Sequence, residues 1–245
     1  MANFNPQTVS RQAQAALIDE GLRAYMLRVY NYMAIGLAVT GLAAIGIFAA
    51  AVVPGTRELT GFGAALFTSP LRWVVVLAPL AMVMFLSFRI QSMSVAAGQI
   101  TFFAYAALVG ASLSSLGLVY AHDSIAQMFF VTAAAFGGLS LWGYTTKRDL
   151  TAMGSFLFIG LIGIILASLV NLFIASSAMQ FVISVIGVLV FAGLTAYDTQ
   201  KIKEMYLEAD DQATMGRKAI MGALALYLDF INMFLMLLQL FGRRE

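Results

Sequence analysis

The chain has 245 residues, of which 61% are hydrophobic and only 11% charged, with a formal net charge of +2 and no cysteine. A soluble domain carries about 25% charged residues, so this composition describes a polytopic helical membrane protein. The near-neutral balance argues against a nucleic-acid partner, and the lack of cysteine removes disulfides, thiolate nucleophiles and Fe–S clusters.

The first 25 residues are polar and carry both signs of charge. They read as a cytoplasmic tail rather than a cleavable signal peptide, and Ala2 in place of glycine excludes N-myristoylation. Residues 26–242 then hold seven apolar runs, at Tyr30–Val53, Trp73–Phe88, Gly98–Val119, Ser124–Trp142, Gly154–Leu172, Met179–Tyr197 and Ala219–Leu240. Each exceeds a buried soluble strand, and none shows the alternation of a membrane β-strand. The expected fold is therefore an all-α bundle of seven transmembrane helices, one membrane domain with no room for a soluble catalytic domain.

The second run is short and contains Pro79, which marks it for a kink or tilt. Connections such as Ala121–Asp123 and Phe173–Ala178 are brief, so neighbouring spans form antiparallel hairpins. Ten of the fourteen Lys and Arg residues fall on the N-terminal tail and every second connection: Arg11, Arg23, Arg28, Arg89, Lys147, Arg148, Lys201, Lys203, Arg217 and Lys218. Arg57, Arg72, Arg243 and Arg244 fall on the other side. That asymmetry predicts a cytoplasmic N-terminus and a C-terminus across the membrane. Small residues four apart (Gly110 and Ser114, Ala134 and Gly138, Gly163 and Ala167, Ala192 and Ala196) read as close helix–helix approaches. No internal repeat supports an inverted-repeat transporter.

Few residues in these spans can do chemistry. A retinal protein needs an intramembrane Lys for its Schiff base, and no span has one. The single His122 lies in a short connection, and no zinc-binding His pair is present, so of the intramembrane protease mechanisms only a pair of aspartates survives. Asp229 sits in the middle of the last span, where a carboxylate costs about 2.5–3.5 kcal/mol on insertion scales and so needs a partner, water or a proton. Its plainest alternative is a structural hydrogen bond within the bundle. Asn232, three residues on, shares its helical face and is placed to orient it.

Asp198 closes the preceding span and, taken alone, is an ordinary acid at the cytoplasmic edge. The two spans are consecutive and antiparallel, so Asp198 and Asp229 can meet. Two carboxylates in a poorly hydrated site cannot both ionise cheaply; such a pair holds a proton or binds a hard cation such as Ca²⁺. Two carboxylates fall far short of the six to eight oxygens of a tight Ca²⁺ site, so the ion is expected as a weakly held, transported species and no tightly bound cofactor is expected. Arg89, at the end of the second span, reads either as a positive-inside anchor or as an ionic latch on one of the acids.

Two segments carry a resemblance: Gly193-Leu-Thr-Ala-Tyr-Asp-Thr-Gln-Lys-Ile202 and Ala223-Leu-Ala-Leu-Tyr-Leu-Asp-Phe-Ile-Asn-Met-Phe-Leu235. With Phe88–Met93 and Gly143–Leu150 in support, the chain resembles the Bax inhibitor-1 family, and its bacterial branch in particular. The resemblance implies a last helix surrounded by the other six and a pH-sensitive Ca²⁺ leak governed by two aspartates, matched here by Asp198 and Asp229. It also implies an arginine of the second helix latched to the first aspartate, matched by Arg89. Eukaryotic relatives suppress cell death and lower Ca²⁺ stores; some bacterial relatives are similar to modulators of a membrane-anchored AAA protease. The connection between the aspartates carries an acidic run, Glu208-Ala-Asp-Asp211. The expectation is a non-enzymatic inner-membrane protein acting as a proton-regulated Ca²⁺ leak. The alternative is a non-conducting partner of a membrane protease.

Overall fold

The computed structural model describes residues 6–56 and 58–244, with side chains described from residue 19 onward apart from residue 57. Eight α-helices account for most of this length: α1 (Pro6–Ala51), α2 (Gly61–Phe67), α3 (Leu71–Arg89), α4 (Val95–Leu113), α5 (His122–Thr145), α6 (Thr151–Ile174), α7 (Ser177–Glu204) and α8 (Gln212–Phe241). All but the short α2 are long and apolar enough to cross a membrane. Among the described residues there are no strands, only two isolated bridges. Helix α1 runs back to Pro6, so helical backbone extends into the stretch expected to be a tail. Residues 1–5 and the side chains of Arg11 and Arg57 lie outside the described residues.

The seven long helices sort into two groups around α8. Helices α1, α3 and α4 pack together on one side, and α5, α6 and α7 on the other. Helix α8 packs against α1, α4, α5 and α7, while α3 rests mainly on α4 and α6 on α7. The most apolar stretch of α8 is 67% buried, against at most 39% for any other span. The last helix is thus central, as expected, but four helices rather than six supply its direct wall. This arrangement lets the bundle carry a carboxylate on α8, because that helix presents little surface to lipid.

The outward faces are apolar. Ile45, Phe130, Phe156, Ile159, Phe173 and Leu189 are all well exposed. In water such patches would drive association; in a bilayer they are the lipid-facing surface. Pro79 lies inside α3, which continues as helix through it to Arg89 before a 3₁₀ turn at Ile90–Ser92.

Glycines mark the closest approaches. A Cβ at Gly110 would strike the Thr40 carbonyl of α1, and one at Gly143 would strike the Ala196 carbonyl of α7. The small-residue pairs of the sequence are therefore only partly contacts. Gly138 and Gly163 face open space and contribute nothing to packing.

Polar side chains tie the groups together. Thr40 Oγ1 on α1 lies 2.6 Å from Tyr227 Oη on α8 and donates to the Ala106 carbonyl on α4 at 2.9 Å. The connection between α7 and α8 is held by Lys218 Nζ, which donates to Asp210 at 2.6 Å and to the Met205 carbonyl at 2.8 Å. Asp211 caps α8, accepting from the Thr214 amide at 2.8 Å. Hydrogen bonds from Thr214 hold the Asp211 carboxyl below the usual range. These contacts set the register of α8 against α7, and that register places the two aspartates.

Candidate functional site

Asp198 lies six residues before the end of α7, about 9 Å of helix at 1.5 Å per residue. Asp229 lies near the middle of α8, about 25 Å from its start and 18 Å from its end. The two helices are consecutive and antiparallel, and Ile202 of α7 already packs on Gly222 of α8. One helical turn back along α7 and about two turns on along α8, the carboxyl groups of Asp198 and Asp229 come within interaction distance of each other. Carboxylates only accept hydrogen bonds when ionised, so two carboxyls brought this close are eased by a shared proton, a cation or water.

Their surroundings differ. Asp229 is 4% exposed, and its Oδ2 is a buried oxygen without a hydrogen-bond partner. Asp198 is half-buried and feels the charge of Lys201, one helical turn on. The pair therefore has an inner acid that lacks a cation and an outer acid that borders one. An unpaired buried carboxylate oxygen is costly; among the described residues only the Tyr25 hydroxyl and the Arg217 Nε share that condition, and neither is a carboxylate.

The other two expected site residues are not drawn in. Asn232 donates to the Leu228 carbonyl of its own helix at 2.8 Å and does not orient Asp229. Arg89 is exposed at the end of α3, and among the described residues it forms no ion pair with either aspartate. In this conformation the cation beside Asp198 is Lys201. It belongs to the same helix, at i+3, a spacing visible in the sequence. The described residues hold no group of three or more Asp, Glu, His or Cys that could ligate a metal tightly, so the pair can offer at most a weak site for an oxygen-seeking cation.

Two polar clusters escaped the sequence reading. Tyr30 Oη on α1, Ser140 Oγ on α5 and Thr199 Oγ1 on α7 form a chain with separations of 2.6 and 2.9 Å. At the opposite end of α8, Asn171 donates to Gln180 at 3.2 Å, Gln180 donates to Gln239, and Ser184 donates to Gln239 at 2.8 Å. This second cluster lines a cavity of about 620 Å³ that Arg244 also borders. Single polar residues scattered through apolar runs carry no spacing signal, so only the packing of α1, α5, α6, α7 and α8 reveals these groups.

The sequence matches the family described as the inhibitor of apoptosis-promoting Bax1 over residues 22–245. An uncharacterized protein of Rickettsia prowazekii is 46% identical over 98% of both chains. The inner membrane protein YbhL of Escherichia coli is 48% identical over 92% of this chain and 94% of its own. An uncharacterized protein of Caulobacter vibrioides is 46% identical over 92% and 90%, respectively.

Proposed function

The chain belongs to the Bax inhibitor-1 family as a multi-pass bacterial inner-membrane protein, and from that premise we propose that it is a proton-regulated cation leak. Ca²⁺ is the proposed ion, and the Asp198–Asp229 pair is the proposed sensor. The observation that carries this reading is the contact between two carboxyls at a central helix, one of them 4% exposed with an unpartnered oxygen.

A proton shared by the pair leaves it with a single negative charge; a second proton leaves it neutral. Loss of the shared proton leaves two carboxylates side by side, a repulsive state that a divalent cation relieves. Occupancy by Ca²⁺ then rises as pH rises and falls as protons compete. With only two carboxylates the ion is held loosely and keeps part of its water shell, as passage requires.

The seam between α7 and α8 favours this pair as part of the route. Beyond the aspartates, Met236 of α8 fills the space over Gly187 of α7 at 2.9 Å from a Cβ built there. Past it lies the amide cluster of Gln180 and Gln239 with its cavity. This close-packed apolar contact separates the two polar sites, and on the proposed reading it would have to part for an ion to pass.

Ca²⁺ flux into proteoliposomes, measured at several pH values, tests the proposal. Flux that changes with pH in the intact protein and loses that dependence in Asp229→Asn is the expected result. No flux at any pH would instead favour a non-conducting protein that docks a membrane-anchored AAA protease.

A further inference from the structure

A groove of about 520 Å³ runs along the lipid-facing side of the bundle between α1 and α5. Met26, Leu27 and Tyr30 line one wall, and Phe136, Gly137 and Leu141 the other. Neither helix closes it: Gly137 has no atom within 4 Å of where a Cβ would stand, so the groove is open over that residue. The polar atoms within it are already engaged. Tyr30 Oη and Ser140 Oγ bond each other, and Ser140 bonds Thr199 behind it. The groove therefore offers its occupant carbon surface and no free donor or acceptor along its length.

One end is different. Arg23 lines the groove there and is exposed. Tyr144 lines the same end, and Lys203 lies over its ring at 5.3 Å while donating to its carbonyl at 2.9 Å. Asp19 and Glu20 stand on the same end of α1, yet among the described residues neither Arg23 nor Lys203 forms an ion pair. Among the described residues, two cations without acidic partners thus lie by the mouth of an apolar slot, Arg23 lining it and Lys203 standing against the Tyr144 that lines it.

We propose that this groove is a lipid site that takes one acyl chain of an anionic phospholipid, with the headgroup phosphate held at Arg23 and Lys203. At about 30 Å³ per water-sized group, the volume holds roughly seventeen methylene-sized groups, which matches a single acyl chain. The headgroup end is set by charge, since basic residues at a membrane surface each attract anionic lipid by about 1 kcal/mol. A zwitterionic lipid fills the slot but gains nothing from the net charge. The occupant rests against Tyr30, whose hydroxyl leads through Ser140 to Thr199, the residue after Asp198.

The test uses the full-length protein reconstituted with phosphatidylglycerol and phosphatidylethanolamine at equal content, then released for native mass spectrometry. The intact protein should retain one phosphatidylglycerol in preference to phosphatidylethanolamine. Gly137→Leu places a side chain in the slot from a position where a Cβ meets no atom within 4 Å and should abolish the retained lipid of either class. Arg23→Gln leaves the slot open and should lower the preference for phosphatidylglycerol about fivefold while phosphatidylethanolamine is still retained. Equal retention and preference in both variants, with unchanged elution and thermal stability, would overturn the proposal. Loss of preference in Gly137→Leu alone, with Arg23→Gln unchanged, would overturn the headgroup assignment.

Discussion

The carboxyl of Asp229 meets that of Asp198 across the interface of two helices joined by a short connection, and the deeper acid keeps one oxygen, Oδ2, buried without a partner. Asp198 alone borders a cation, Lys201. Two carboxyls this close repel when both are ionised, and that repulsion ties the behaviour of either acid to the other.

Asp198→Asn and Asp229→Asn each remove one charge while keeping nearly the same shape. Either single variant should lose most of the pH dependence of Ca²⁺ flux, and the double variant should add little, because the two act as one unit. The readout is initial flux per inserted molecule across a pH series. Additive effects would indicate two independent sites.

Arg89→Ala should leave basal flux per inserted molecule unchanged, since Arg89 is exposed and touches neither acid in this conformation. A rise in flux would show that another conformation brings Arg89 to Asp198 as a latch.

Thr40 and Tyr227 should respond unequally to removal of a hydroxyl. Tyr227→Phe leaves Thr40 still donating to the Ala106 or Gly36 carbonyl, at a cost of about 1 kcal/mol. Thr40→Val leaves the Tyr227 hydroxyl buried and unpaired, at a cost of about 1–3 kcal/mol. Melting temperatures in one detergent should rank Thr40→Val below Tyr227→Phe; the reverse order would remove Thr40 as the clasp of α1, α4 and α8.

Two glycines separate packing from composition. Gly143→Ala drives a methyl into the Ala196 carbonyl and should destabilise by about 1–3 kcal/mol. Gly163→Ala enters open space and should be neutral or stabilising, by up to about 1 kcal/mol. Thermal stability of the two variants side by side decides the matter.

Asp211 provides an acid-sensitive cap on α8. Its carboxyl is held below the usual range by Thr214, so its contribution is present above the unfolded value and is lost as pH falls through the folded value. Asp211→Ala should lower the melting temperature at neutral pH, and the difference from the intact protein should shrink in acid and vanish only once the pH lies below the lowered folded value. A difference that persists there would mean that the side chain stabilises by packing alone.

The amino-acid sequence by itself determined the class of fold, the seven spans and the two acids. Long apolar runs can satisfy their backbone groups in lipid only as helices, and a lone carboxylate such as Asp229 stands out within twenty apolar residues. Their spacing across a short connection was enough to foresee that Asp198 and Asp229 could meet. Tertiary structure alone decided that α8 is walled by α1, α4, α5 and α7, that Asn232 turns to Leu228, and that Arg89 stays apart. It also decided which glycines are contacts, since Gly143 and Gly163 look alike in sequence and differ only in what faces them. The physical reason is that hydropathy reports transfer into the bilayer, which every apolar face shares, whereas helix pairing depends on shape and on hydrogen bonds between residues such as Tyr30, Ser140 and Thr199. Those partners lie 59 to 110 residues apart in the chain, and no local pattern joins them.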